Sequence, residues 1–173
     1  MQLTAEHLAL SDTVKRFVEN EINPYSDEWE KAGHFPAHDV FKKLGNLGLL
    51  GIKYDTAYGG MGLDFSYSMV ASEALGVANC GGVPLAIGSD ELKREYLAPA
   101  IAGDMVGCIG VSEVGGGSDV ASLKTTAKSD GDDYVINGSK MWSTNGMQAD
   151  WCCLLANTSE GKVHENKSLI IVP

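Results

Sequence analysis

Three consecutive glycines, two hydroxyl groups and two carboxylates lie together in the segment from Cys108 to Asp119. Glycine permits positive φ angles and lets a ligand approach the backbone closely, so such a run indicates a binding loop. The spacing matches neither the dinucleotide pattern G-x-G-x-x-G nor the phosphate-loop pattern G-x-x-x-x-G-K-[ST]. A glycine-rich connector between two elements explains the composition equally well. The ligand has to be inferred from the surroundings of the segment.

Glu113 lies beside these glycines, and two roles are open to a carboxylate there. It could act as a general base, but we favour an ionised carboxylate that accepts hydrogen bonds from loop N–H groups. The histidines are predicted to lie on the surface, because all four have polar, helix-start or loop neighbours: His7, His34, His38 and His164. No H-E-x-x-H, G-x-S-x-G or C-x-x-C motif occurs in the sequence.

A second polar and aromatic cluster lies at Met141-Trp-Ser-Thr-Asn-Gly146. If the two segments converge, backbone amides and hydroxyls from Val111-Ser112 and Gly115–Ser118 would face the indole of Trp142 and the hydroxyl of Thr144. Such a set suits a flat heteroaromatic ring with several polar edge atoms. The alternative is that Trp142 fills the core of a β domain and that Thr144 is an ordinary strand residue. The residues alone favour this alternative.

Helical periodicity dominates residues 1–104, which are predicted to form an α-helical domain. One apolar stripe predicts a first helix capped by Thr4, and it consists of Leu10, Val14, Phe17 and Val18. Pro24 interrupts this helix and Gly33 ends the run that follows. A second helix after Pro36 is predicted to turn four apolar side chains inward: Val40, Phe41, Leu44 and Leu47.

Two further helices complete the predicted helical domain. The first begins at Asp64 or Ser66 and extends to Ala78. A loop is predicted over Cys80–Gly88, and Ser89 caps a short helix over Asp90–Pro99.

The pattern changes to that of strands in residues 105–173, which are predicted to form a β domain. Strands are predicted over residues 105–111, 123–128, 134–137, 139–144, 151–156 and 168–172. One turn is predicted at residues 129–132. A second is predicted at Asn137-Gly138, because Asn-Gly is the strongest short hairpin signal.

The composition limits the classes of function. A net charge of −10 argues against a general nucleic-acid or anionic-membrane surface, which would need a basic face. The four cysteines lack metal-ligand spacing and are predicted to be reduced and mostly buried, with no metal site: Cys80, Cys108, Cys152 and Cys153. No apolar run approaches the length of a transmembrane segment, and the N-terminus lacks the features of a secretory or mitochondrial targeting segment.

Several segments, in their order and spacing, resemble the acyl-CoA dehydrogenase family. In the second half of the chain they are Val111–Asp119, Leu123–Ala127, Gly131–Gly146 and Ala149-Asp150. In the first half they are Phe17–Pro24, Gly45–Gly51, Tyr58–Gly60 and Glu95–Asp104. The resemblance covers nearly all 173 residues but only the front part of a family member. It implies an α+β multi-domain fold: an α-helical N-terminal domain (1–104), a partial β-barrel middle domain (105–173), and a C-terminal four-helix domain that is absent.

The resemblance also implies an activity. Family members are flavoproteins of fatty acid metabolism and β-oxidation that desaturate an acyl-CoA thioester between Cα and Cβ with FAD. A glutamate removes the α-proton while hydride passes to the flavin, and an electron-transfer flavoprotein then receives the electrons. A homo-oligomer and a mitochondrial matrix location are implied as well, although the N-terminus shows no transit peptide, which leaves the cytoplasm open.

By position, the resemblance makes Ile109–Ser118 the first flavin segment and Trp142–Thr144 the second. The implied cofactor-binding residues are Ile109, Val111, Ser112, Gly117, Ser118, Trp142, Ser143 and Thr144. Ser118 would lie where the flavin and the CoA thioester meet, Trp142 against the isoalloxazine, and Thr144 near N5. Hydrogen-bond donors at those ring edges stabilise the charge that builds up on reduction. The resemblance therefore reverses the interpretation of Trp142 as a core residue.

The chain departs from the family pattern at four points. Val114 stands where proline is usual, Ser143 stands where an apolar residue is common, and Gly82–Ser89 is shortened. The catalytic glutamate belongs to the C-terminal domain, so no catalytic residue is expected in this chain. Two hypotheses follow: a truncated acyl-CoA dehydrogenase that is inactive alone, or a non-catalytic fragment or isoform that binds full-length subunits or folds poorly.

Overall fold

A computed structural model describes residues 3–76 and 89–173, and the chain divides into two compact units, Met1–Met105 and Val106–Pro173. The first unit is built of helices, and the second is built around a five-stranded sheet. This order of elements confirms the predicted α+β fold class.

The helices of the first unit are α1 (Ala5–Phe17), α2 (Ser26–Ala32), α3 (Ala37–Asn46), α4 (Phe65–Leu75), α5 (Asp90–Leu92) and α6 (Ala98–Ile101). Single π-helical turns lie at Val18–Ile22 and Lys93–Leu97, and 3-10 turns lie at Asn23–Tyr25 and Thr56–Tyr58. Side-chain oxygens cap the helices as predicted, at Thr4 for α1, Asp64 for α4 and Ser89 for α5. The predicted end of α4 near Ala78 and the predicted loop over Cys80–Gly88 lie outside the described residues, as does most of the shortened region.

The predicted apolar stripe of α1 lies at the centre of the helical core. Val14, Phe17 and Val18 are buried together with Val40 of α3 and Ala74 of α4. Each buried aliphatic or aromatic side chain contributes about 1.5–3 kcal/mol, so this cluster holds the three helices together.

One predicted core residue of α3 is exposed. Leu47, expected to face inward, has 43% of its surface accessible to solvent. The helix ends at Asn46, one residue earlier, so the helical spacing that predicted an inward position no longer applies at Leu47.

His7 is buried, so the prediction of a surface histidine at this position was wrong. Its Nδ1 accepts a hydrogen bond from the backbone N–H of Thr4 at 3.2 Å, and its Nε2 lies 2.7 Å from Ser66 Oγ. The imidazole also stacks on the ring of Tyr67 with centroids 3.9 Å apart. His7 therefore joins the start of α1 to the start of α4, which the polar neighbours of His7 in the sequence did not indicate.

The sheet of the second unit consists of β1 (Gly107–Gly110), β2 (Thr126–Asp130), β3 (Asp133–Asn137), β4 (Trp151–Asn157) and β5 (Lys167–Val172). Strand β4 is central: it pairs in parallel with β1 and antiparallel with β5. Strand β2 joins β4 in parallel at Asn157 and forms an antiparallel hairpin with β3.

The turn of the β2–β3 hairpin lies within the predicted residues 129–132, but the hairpin predicted at Asn137-Gly138 is wrong. Residues 139–144 form no strand. A Cβ atom at Gly138 would lie 2.4 Å from Oγ1 of Thr125, and the φ angle of Gly138 is +148°. Glycine is required here because the backbone of Gly138 lies too close to Thr125 for a side chain. The Asn-Gly dipeptide therefore does not mark a hairpin turn in this protein.

Trp151, rather than Trp142, fills the core of the second unit. Its side chain is 2% exposed, and a Cβ atom at Gly107 would lie 2.7 Å from its ring. The neighbouring core consists of Ala127, Leu154 and Ala156. A large indole can be buried here because the facing residue of β1 has no side chain.

The described cysteines are free thiols of this sheet. Cys108 and Cys153 are buried and Cys152 is half-buried, which confirms the prediction for these three; Cys80 lies outside the described residues. Burial, followed by a hydrogen bond with Cys152, raises the pKa of Cys108 to about 12. A thiol held neutral in this way is a packing residue rather than a nucleophile.

Candidate functional site

The predicted first flavin segment lies in the end of β1 and in the loop that connects β1 to β2. Both of these strands pair with the same edge of β4. Strand β1 follows this edge as far as Gly110, opposite Leu154, and β2 resumes it at Thr126, opposite Asn157. Residues 111–125 therefore bulge out between two strands that lie along the same edge. The side-chain amide of Asn157 donates to the carbonyls of Leu123 at 2.8 Å and Thr125 at 3.1 Å, which anchors the returning end.

Glu113 ties the two ends of this bulge together. Its Oε2 accepts the backbone N–H of Lys124 at 2.7 Å, and its Oε1 accepts the backbone N–H of Thr125 at 2.9 Å. The Thr125 hydroxyl donates to the same Oε1 at 2.5 Å, and Lys140 Nζ donates to it at 3.0 Å. The role favoured from the sequence, a carboxylate that accepts loop N–H groups, is confirmed.

The protonation of Glu113 follows from these contacts. Burial opposes ionisation, but the donors from Thr125, Lys124 and Lys140 together outweigh it and lower the pKa of Glu113 to about 2. A carboxylate this acidic is a poor general base near neutral pH. The alternative role of Glu113 as a proton acceptor is therefore disfavoured by its own surroundings.

The glycine run forms an exposed turn at the outer end of the bulge. Glu113 N–H donates to Gly116 O at 2.8 Å, and Gly116 N–H donates to Glu113 O at 3.1 Å. A Cβ atom at Gly115 or Gly117 would meet no atom within 4 Å. Ser118 is exposed on the far side of this turn. The backbone here is open to a ligand.

Lys140 and Met141 join the second segment to the first. Lys140 Nζ donates to the carbonyl of Val111 at 3.0 Å, and Met141 N–H donates to the carbonyl of Ser112 at 2.8 Å. The convergence of the two segments that the sequence left open is thus present at Val111-Ser112. Sequence reasoning missed Lys140, because Lys124 and Lys128 also lie between Glu113 and the second segment and nothing local distinguishes Lys140 from them.

Trp142 does not belong to the core. Its side chain is 83% exposed, and its φ angle is +63°. A left-handed conformation is uncommon for a bulky residue and costs on the order of 1–2 kcal/mol. Such strain at an exposed aromatic residue leads to a hypothesis of function. Beyond it, Ser143 is half-buried and Thr144 is exposed.

Asn145 carries a second unusual feature of this segment. Its φ angle is +64°, and its side-chain nitrogen and oxygen are shielded from solvent with no hydrogen-bond partner among the described residues. Burying an unpaired amide costs about 1–3 kcal/mol. An amide in this state is suited to pair with a polar group that the described residues do not supply.

Ile109 lies on the face of β1 opposite to Cys108. Cys108 is 5% exposed, whereas Ile109 is 36% exposed, because successive side chains of a strand point to opposite faces. The apolar side chain of Ile109 is therefore available on the outside of the sheet, two residues before the carbonyl that Lys140 binds.

The described part of the chain contains neither a candidate metal cluster nor a helix that could span a membrane. Within residues 3–76 and 89–173, no three His, Cys, Asp or Glu side chains are grouped so that they could hold a metal ion. Over the same residues, no helix has the length and apolar character needed to cross a membrane.

Family models identify the relatives of this chain. Residues 4–104 match the acyl-CoA dehydrogenase N-terminal domain, and residues 108–173 match the acyl-CoA dehydrogenase middle domain. The chain belongs to the acyl-CoA dehydrogenase family. The resemblance noted from the sequence motifs is thereby confirmed.

Individual proteins and solved structures are similar to this chain over nearly all of its length. The human mitochondrial short-chain specific acyl-CoA dehydrogenase is 35% identical and is matched over 100% of this chain and 45% of its own length. The crystal structure of acyl-CoA dehydrogenase from Geobacillus kaustophilus has 34% identity and a TM-score of 0.89, over 98% of this chain and 48% of that one. A structure described as the electron transferring flavoprotein of Acidaminococcus fermentans has 33% identity and a TM-score of 0.89, over 99% and 48%. The chain thus spans about half the length of the curated relatives that it matches.

The residues of the second unit fit the cofactor that the family implies. FAD offers a flat ring with polar edges and a phosphate-bearing chain. An exposed indole at Trp142, an unpaired buried amide at Asn145 and an open glycine turn at Gly115–Gly117 present matching surfaces within one unit. All three depend on the bulge and the segment that Lys140 links to it.

Proposed function

We propose that this chain is the N-terminal and middle portion of an FAD-dependent acyl-CoA dehydrogenase and that it binds FAD through the two segments described above. The observation that carries the proposal is the pair of hydrogen bonds from Lys140 and Met141 to Val111 and Ser112. These bonds bring together two stretches that the β2–β3 hairpin separates in sequence. They also leave Trp142 outside the core, with its indole available to a ligand.

Each proposed cofactor-binding residue has a surface suited to its role. Ile109 offers an apolar contact, Val111 and Ser112 lie at the junction of the segments, and Gly117 and Ser118 lie on the open turn. Trp142 offers an aromatic face, and Ser143 and Thr144 offer hydroxyl groups next to it. Ser118 is also proposed to contact the thioester end of an acyl-CoA substrate, because it follows the open glycine turn.

The bound cofactor would supply the hydride acceptor for desaturation of the acyl-CoA thioester between Cα and Cβ. The chain's own residues would bind and orient the ring: Trp142 would cover one face, and Thr144 would donate a hydrogen bond at the polar edge. Donors placed where negative charge develops stabilise the reduced state. Glu113 would remain ionised and hold the loop without transferring a proton.

We propose that the 173 residues alone do not catalyse the desaturation. Removal of the α-proton needs a base of suitable pKa, and Glu113, the carboxylate at the junction of the segments, is too acidic and already accepts four hydrogen bonds. The base is proposed to belong to the C-terminal domain of the family. Electron-transfer flavoprotein as the electron acceptor, a homo-oligomer and a mitochondrial matrix location are further proposals from the family resemblance.

A second candidate function is a non-catalytic fragment or isoform that associates with full-length subunits. It is favoured by β3, in which all five residues are exposed, including Tyr134 at 52% and Val135 at 48%. Exposed apolar side chains on a strand invite pairing with another chain. This candidate does not require the chain to bind FAD.

The flavin content of the purified chain separates the two candidates. Visible flavin absorbance with no turnover of acyl-CoA in the presence of a dye acceptor supports the FAD-binding portion of a dehydrogenase. A chain that purifies without flavin and takes up none on addition of FAD supports the second candidate. Turnover of acyl-CoA by the purified chain would contradict the proposal that the 173 residues are inactive alone.

A further inference from the structure

The cation of Lys140 is nearly inaccessible and has two partners in the first segment. Its side chain is 9% exposed, and its Nζ donates to Val111 O and to Glu113 Oε1, each at 3.0 Å. The next residue, Met141, donates its N–H to Ser112 O at 2.8 Å. Three hydrogen bonds from two consecutive residues therefore reach three consecutive residues of the bulge.

Little else fixes the second segment by regular structure. Residues 139–144 belong to no strand, so no ladder of backbone hydrogen bonds sets the position of Trp142. The chain reaches this segment from the end of β3, whose five residues are all exposed. The hydrogen bonds of Lys140 and Met141 therefore contribute much of what fixes the position of Trp142 relative to Ser112.

The pair of Lys140 and Glu113 is poorly explained as a device for stability alone. Burying two charges costs several kcal/mol for each ion, and apolar residues of similar volume often stabilise a protein as well or better. The best-attested benefit of a buried ion pair is that it specifies one arrangement over others. Here that arrangement is the register between the bulge and the second segment.

We propose that Lys140, oriented by Glu113, is a positioning residue that holds the second flavin segment in register with the first. The part of this proposal that concerns flavin binding rests on the proposed function. The register between the two segments is a property of the chain without cofactor. Lys140 touches neither substrate nor cofactor in this account. Its Nζ holds Val111 and Glu113 on one side, and the next residue, Met141, holds Ser112, so that the position of Trp142 follows on the other.

The variant Lys140→Met tests the proposal with little change in shape. It keeps the apolar stem and removes the ammonium, while Glu113 retains three donors from Lys124 and Thr125. Lys140→Gln, which keeps an N–H donor for the carbonyl of Val111, is the milder second variant if the first does not fold. Lys162→Met is the control, because the Nζ of Lys162 pairs with Glu165 Oε1 at 3.8 Å in the same unit but outside residues 111–125 and 139–146.

The experiment measures amide hydrogen exchange across residues 106–173 of the 173-residue chain, together with its affinity for FAD. We expect Lys140→Met to accelerate exchange in residues 111–118 and 139–146 by about tenfold, as expected for the loss of about 1.4 kcal/mol of local stability. We expect FAD affinity to fall by a similar factor of about ten. Lys162→Met should leave exchange in both segments and FAD affinity at wild-type values.

The proposal would be overturned by unchanged exchange in both segments, or by acceleration spread evenly over residues 106–173 as after a general loss of stability. Acceleration confined to residues 139–146 would also overturn it, because the loss of a contact between the two segments should accelerate exchange in both. If the wild-type chain takes up no FAD, the proposed function fails, and the exchange measurement still decides whether Lys140 sets the register.

Discussion

The ammonium of Lys140 lies 3.0 Å from Oε1 of Glu113, in a pair whose side chains are only 9% and 10% exposed. Glu113 also accepts the backbone N–H groups of Lys124 and Thr125, where the bulge returns to the sheet. One carboxylate thus links the departing end of the bulge, its returning end and the second segment. The unit built around β4 depends on this carboxylate remaining ionised.

Acid should weaken the second unit through Glu113. The folded pKa of about 2 lies below the ordinary value of 4.5, so the stabilisation is complete above about pH 5 and is lost as the pH falls towards 2. The total effect is on the order of 3 kcal/mol. Chemical unfolding followed by Trp fluorescence between pH 2 and 7 should show this loss, and Glu113→Gln should be less stable at pH 7 and nearly free of this dependence.

The same titration distinguishes the donors to Glu113. Lys140→Met removes one of the four donors, so the acid-induced loss should move to higher pH without disappearing. A wild-type chain whose stability is flat between pH 5 and 2, or a Glu113→Gln variant with the same slope as the wild type, would contradict the account of Glu113.

Gly138→Ala should be among the most damaging single changes in the second unit. The added Cβ would lie 2.4 Å from Thr125 Oγ1, and alanine disfavours the φ of +148°. We expect a loss of about 2–4 kcal/mol in the free energy of unfolding. Gly115→Ala is the matched control, since its Cβ would meet nothing within 4 Å, and it should change stability by less than about 1 kcal/mol.

Equal stabilities for these two glycine variants in denaturant titrations would refute the close contact between Gly138 and Thr125.

Asn145→Gly should stabilise the chain when no ligand is bound. Glycine adopts the φ of +64° without strain, and the substitution removes a buried amide that has no partner among the described residues. The gain of about 1–3 kcal/mol exceeds the entropic cost of glycine, about 0.5–1 kcal/mol. Thermal unfolding measures the change, and a lower melting temperature would count against an unsatisfied amide. A simultaneous loss of FAD affinity would indicate that the amide pairs with the cofactor.

The two tryptophans of the second unit should respond in opposite ways to truncation. Trp142 is 83% exposed, so Trp142→Ala should change the free energy of unfolding by less than about 1 kcal/mol. Trp151 is 2% exposed, so Trp151→Ala should cost about 3–5 kcal/mol. Urea unfolding of the two variants gives this comparison directly. A severe loss in the free energy of unfolding on truncation of Trp142 would indicate that Trp142 is a core residue.

Local signals in the sequence were sufficient to predict most of the helices and strands. The caps at Thr4, Asp64 and Ser89 and the stripe of α1 could be predicted because each depends on residues within two or three turns. The prediction of the glycine loop and of the role of Glu113 succeeded for a similar reason, since a carboxylate beside an irregular backbone meets N–H groups nearby.

The errors arose where a distant contact decides the outcome. His7 is buried by Ser66 and Tyr67 of α4, and Gly138 is required by Thr125 rather than by a turn. Trp151 enters the core because Gly107, opposite it on β1, has no side chain, and this cross-strand pairing lies far from Trp151 in the sequence. Lys140 went unnoticed because its partners lie far before it in the sequence.

Equilibrium titration of the cofactor-free 173-residue chain with FAD measures directly whether the two segments form a flavin site. We predict saturable, one-to-one quenching of tryptophan fluorescence, with affinity that falls by about tenfold or more in Trp142→Ala. Trp29→Phe, a change in the helical unit, should leave the affinity unaltered. Absence of saturable binding, or equal affinity in the wild type and Trp142→Ala, would contradict the assignment of the two segments as the flavin site.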